Sequence, residues 1–71
     1  MSRRIEIGSV TYAQKAKRAL LLRGIHSRLS KTEGVDGCVY AIDVREGDFP
    51  AALEELHRLG IEYRLLHYDI P

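Results

Sequence analysis

One six-residue phrase occurs twice in this chain, as "GIHSRL" from Gly24 and as "GIEYRL" from Gly60. Each copy follows a segment whose apolar residues recur every three to four positions, the spacing of a helix with one buried face. Glycine takes the left-handed conformation at little cost, and an apolar residue just beyond it folds back onto the last turn. Gly-Ile at such a place therefore reads as a helix stop. Two stops about 36 residues apart divide the 71 residues into halves of like grammar: strand, helix, Gly-Ile, strand. Two copies are too few to stack as a solenoid, so the halves have to bury their apolar faces against each other.

The first half opens with Ile5 and Ile7 alternating with Arg4 and Glu6, a strand with one buried side, ended by Gly8. Thr11 and Gln14 have the spacing of a capping box, which starts a helix from Tyr12 to Arg23 with Ala13, Ala16 and Leu20 on its inner face. In the second half Asp48 reads as a cap and Pro50 suits a first turn. Phe49, Ala52, Leu53, Leu56 and Leu59 form the apolar face of the second helix. Strands are expected over residues 26–32, 38–44 and 62–68. The order points to an α+β, ferredoxin-like β-α-β-β-α-β fold, two helices on one face of a four-stranded antiparallel sheet, as one domain over residues 1–71.

Composition narrows the function. A single cysteine allows no internal disulfide, and no charged-then-apolar leader precedes "RRIEIGSV", which points to a reducing cytoplasm. The longest apolar run, "ALLL" at Ala19 to Leu22, is far too short to cross a bilayer, so no membrane partner is expected. Eleven basic and ten acidic residues leave a net charge of +1, too little to draw in a phosphate backbone. Tyr40 and Tyr63 lie in expected strands, but the first strand supplies only isoleucines where an RNA-stacking sheet needs aromatics, so no nucleic acid is expected. His26, His57 and His67 share no ligand spacing with each other or with the one cysteine, so neither a metal nor a cofactor is expected. Ser9 and Thr11 have no histidine at their end of the fold, which argues against a hydrolase triad. Tyr63, Leu65 and His67 alternate with Arg64, Leu66 and Tyr68, so the last strand carries large groups on both sides. That pattern raises a homodimer through the open sheet face.

The remaining singular feature is Cys38, set after Gly37 and before a strand-like run. If the first strand runs upward, the connection between the second and third strands lies at the top, beside the turn from the first strand into the first helix. Cys38 is then expected near Gly8, Ser9, Val10 and Thr11, where the first helical N–H groups lack intrahelical partners. The positive end of a helix favours an anion, and the thiolate is the nucleophilic form of cysteine. Gly34 and Gly37 would leave the flanking loop open, and Lys31 would add a cation. Two readings stand: an accessible thiol, or a small apolar side chain packed in the core.

The segments "IEIGSVTYAQKAKRAL" (Ile5 to Leu20), "GCVYAIDV" (Gly37 to Val44) and "LGIEYR" (Leu59 to Arg64) together resemble the small selenium/sulfur carrier-like proteins. Related domains are attached to sulfur-relay modules in selenium-metabolism proteins. The resemblance spans most of the chain and is carried chiefly by the "GSVTYA" turn. It implies that Cys38 is the carrier thiol and that the partners are sulfur- or selenium-transfer proteins; Gly8, Ser9, Val10, Thr11, Gly37 and Lys31, by their expected places beside the thiol, would hold the adduct. The competing expectation is a protein- or small-anion-binding regulatory module in which Cys38 is structural.

Overall fold

The structure, a computed structural model, describes residues 1–34 and 37–65, with side chains outside 32–37. Its elements are β1 (Ser2–Ile7), α1 (Val10–Leu22), β2 (Ser27–Gly34), β3 (Gly37–Arg45), a single 3₁₀ turn (Glu46–Asp48), α2 (Phe49–Leu59) and β4 (Arg64–Leu65). The strands form one antiparallel sheet in the order β2-β3-β1-β4. This is the ferredoxin-like arrangement expected from the two halves, with β1 and β3 paired at its centre.

Strand alternation sets the two faces. Ile5 pairs with Ile42 and Ile7 with Tyr40, and Leu65 lies beside Ile5 on the other side. Ile5, Ile7, Ile42 and Val44 are buried under the helices, against Ala13, Ala16 and Leu20 of α1 and Ala52 and Leu56 of α2. Ala13, Ala16 and Ala52 present only a buried methyl group to the core, too short to hold the helices away from the sheet.

The two stops have the same geometry. Gly24 and Gly60 have φ of 78° and 71°, the region that glycine alone enters cheaply. The Ile25 N–H donates to the Leu20 carbonyl at 2.9 Å and the Ile61 N–H to that of Leu56 at 3.0 Å. Both isoleucines are buried. Each stop thus satisfies terminal carbonyls and supplies a core side chain in the same two residues.

Glu55 is 1% exposed yet charged. Arg23, at the end of α1, donates to it at 2.7 Å, and Arg58 of α2 donates to both its oxygens. Hydrogen bonds from Arg58, then from Arg23, hold its carboxyl down to about 2. The same contact raises Arg58. A buried carboxylate with two guanidinium partners is a specific link between the helices, since either partner alone would leave it under-satisfied.

Several boundaries differ from expectation. Ser9, not Thr11, caps α1: its Oγ accepts from the Tyr12 N–H at 3.1 Å, and the helix begins at Val10. The reason is φ/ψ, since Ser9 at −133°, 149° is the last extended residue. Asp48 precedes α2 but its carboxylate makes no capping bond, because the 3₁₀ turn already places it in helical conformation. Gly34 and Gly37, expected in the loop, are ladder partners at the facing ends of β2 and β3. β4 is described only as Arg64–Leu65; Leu66, His67 and Tyr68 lie outside the described residues. On the described open sheet face Arg4 donates to Asp43, which lies opposite Arg28, Glu6 lies opposite Arg64, and Ser30 lies opposite Ala41. The homodimer expectation rested on the last strand, of which the residues beyond Leu65 lie outside the described residues.

Candidate functional site

Cys38 stands at the end of the sheet where α1 begins. The β1–β3 ladder ends at Ile7 opposite Tyr40, one residue before Gly8 and two after Cys38. The thiol is exposed, so it is not part of the core. β1 ends where α1 must turn back over the sheet, while β3 enters from the β2 hairpin. The central pair of strands thus brings the only thiol beside the β1–α1 turn.

A cleft of about 280 Å³ lies there, with Gly8, Cys38 and Val39 on one side and Glu62, Tyr63 and Arg64 on the other. Glu6 completes it, opposite Arg64 in the ladder. A second cleft, of about 400 Å³, runs from Ile7, Ser9 and Tyr12 to Gly60 and Ile61. Gly8 and Glu62 belong to both, so the two clefts adjoin around the turn. A Cβ on Gly8 would meet nothing within 4 Å, which leaves the approach to Cys38 open on that side.

The expected site residues separate into three groups. Gly8 shares the cleft of Cys38, and Ser9 lines the adjoining one. Val10 is the first residue of α1, and Gly37 directly precedes Cys38 in β3. Thr11 is turned to a groove along α1 with Gln14, Lys15 and Arg18, away from the thiol. Lys31 lies opposite Tyr40, whereas the partner of Cys38 in β2 is Glu33. Lys31 therefore supplies no cation to the cleft; that charge comes from Arg64.

Glu6, Glu62, Tyr63 and Arg64 did not stand out in the sequence as site residues. Alternation marked Glu6 as outward facing, but only the β1–β4 register shows that it faces Arg64. Tyr63 is held from behind: its Oη is hydrogen-bonded to His57 Nε2 at 2.8 Å, and the rings meet edge to face at 5.5 Å. This ties the last turn of α2 to the segment entering β4 and fixes one wall of the cleft. The charged lining is two carboxylates against one guanidinium, so an anion on Cys38 is favoured by Arg64 and the start of α1 and opposed by Glu6 and Glu62. Among the described residues no three His, Cys, Asp or Glu side chains converge to hold a metal ion. No described helix is long and apolar enough to cross a membrane. Compared with known protein families, with curated proteins and with solved structures, the chain matches none.

Proposed function

We propose that the protein is a carrier of sulfur or selenium, with Cys38 as its thiol. The observation that carries this reading is an exposed, unpaired cysteine in the wall of a cleft beside a helix N-terminus. In loading, the Cys38 thiolate attacks the terminal sulfur of a donor persulfide. Its electron pair forms the new S–S bond, and the pair of the broken bond leaves with the donor thiolate, so no outside oxidant or cofactor is needed. Delivery is the same exchange with the carrier as donor. Transfer proteins are the implied partners, and a reducing cytoplasm keeps the thiol free of disulfides.

The test is intact mass of the native protein after incubation with inorganic polysulfide, beside Cys38→Ser. Wild type gains sulfur mass that dithiothreitol removes, and the variant gains none. Modification of Cys38 only after unfolding would sink the reading. A second reading has its own support: the adjoining cleft, walled by Ile7, Tyr12 and Ile61, is larger and mostly apolar, as suits a binding module in which Cys38 only lines the approach. A protein that takes up no sulfur but whose thiol is shielded by a bound partner would favour it.

A further inference from the structure

We propose that the end of the sheet opposite Cys38 holds a second site, which binds a phosphate group, free or as a small monoester. The internal repeat leads to it. Ile61 is followed by Glu62, Tyr63 and Arg64, which line the Cys38 cleft; Ile25 is followed by His26, Ser27 and Arg28, which line a cleft of about 340 Å³ at the other end, completed by Ser2 and the end of β3 at Arg45. The fold has made the same hollow twice, and side chains have given the two hollows opposite character.

The second hollow is cationic. Arg28 and Arg45 are exposed in its walls beside His26. Asp43 is its one acid, and Arg4 donates to that carboxylate at 3.0 Å. Neighbouring Glu46 is turned to Arg3, at 3.7 Å. Among the described residues no carboxylate forms an ion pair with Arg28 or Arg45. Two guanidinium forks from different strands match the non-bridging oxygens of a tetrahedral anion.

The ladder gathers these charges on one face of the sheet: Asp43 lies opposite Arg28 on one side and Arg4 on the other, and Arg45 lies opposite Ser2. Ser27 lies opposite the buried Val44, so its buried hydroxyl is on the helix-covered face and takes no part in the site. The site is separate from the Cys38 cleft and stands or falls without it.

The experiment is an amide-resolved NMR titration of the full ¹⁵N-labelled chain with sodium phosphate and with glycerol phosphate, each against sodium chloride at matched ionic strength. Saturable shifts centred on residues 26–28 and 43–45 are expected. Tighter binding of the ester assigns the source to a monoester, and equal binding assigns it to the free anion. Arg45→Gln weakens binding about tenfold or more, the loss of one charge-assisted contact, and adding Arg28→Gln abolishes it, with the thermal midpoint as the check on folding. Ser27→Ala leaves binding unchanged, because that side chain lies on the other face of the sheet from Arg28. Lys15→Gln/Arg18→Gln, on the α1 groove, leaves binding unchanged. Equal shifts with chloride, wild-type affinity in Arg45→Gln, or loss of binding in the α1 variant would each overturn the site.

Discussion

Alanine substitution at four glycines separates backbone cost from packing cost. A Cβ at Gly8, Gly24, Gly47 or Gly60 would meet nothing within 4 Å, so no steric term enters at any of them. Only Gly24 and Gly60 have positive φ, at 78° and 71°. Holding alanine there costs roughly 1–2 kcal/mol, partly offset by the smaller freedom of the unfolded chain. A net loss of about 1 kcal/mol per site lowers the thermal midpoint by about 4–8 °C in a domain of this size. The stops lie at opposite ends and share no partner, so the double variant should lose about twice as much. Gly8→Ala and Gly47→Ala lack the penalty and keep the entropic gain, so they should be neutral or stabilising by up to about 1 kcal/mol. Urea unfolding with a common slope measures all five variants, and asparagine at 24 or 60 should recover part of what alanine loses. If Gly8→Ala proves as costly as Gly60→Ala, or asparagine no better than alanine, the left-handed stops are not what holds these corners.

Ser9→Ala should destabilise the protein by about 1 kcal/mol while Thr11→Ala changes little, as urea midpoints would show; the reverse order would restore Thr11 as the cap. Glu55, depressed to about 2 from an ordinary 4.5, contributes stability that is fully present above pH 4.5 and is lost as pH falls toward 2. The urea midpoint should drop over that window, and an unchanged acid limb in Glu55→Gln would show that the loss comes from other groups. Gly8→Val should slow alkylation of Cys38 several-fold at an unchanged thermal midpoint, because its side chain grows into open space shared by both clefts; an unaltered rate would mean that the reagent reaches the thiol from elsewhere.

The elements were legible in the sequence wherever one local rule dominates. The isoleucine alternation of β1, the Ala13–Ala16–Leu20 face and both Gly-Ile stops need only their neighbours, and the order of elements then left one plausible sheet. Boundaries failed where two local rules competed. Ser9 and Thr11 are both good caps, and the choice fell to the residue at which the extended strand had to end. Gly34 and Gly37 looked like loop residues, yet ladder hydrogen bonds drew them into strands. The candidate site was legible to the extent that topology alone placed Cys38 at the β1–α1 end of the sheet, where it shares a cleft with Gly8. Its charged lining was not, because the facing of Glu6 and Arg64 depends on the register between strands nearly sixty residues apart.

That division explains where this chain is free to specialise. Each half must spend a glycine on the stop and an isoleucine on the core, at 24 and 25 and again at 60 and 61. The next three residues enter an edge strand from the rim of the sheet, where the core asks little of them. His26, Ser27 and Arg28 differ from Glu62, Tyr63 and Arg64 at two positions of three, although the residues before and after each triplet repeat. Substitution there alters charge and hydrogen bonding in a cleft without disturbing the helices. The same freedom holds across the sheet: Cys38 and Arg45 are the exposed ends of β3, and the buried residues lie between them. A thiol beside Gly8 at one rim and two guanidiniums without a carboxylate partner among the described residues at the other can therefore coexist on a scaffold of 71 residues, because neither takes part in burying the core that holds both in place.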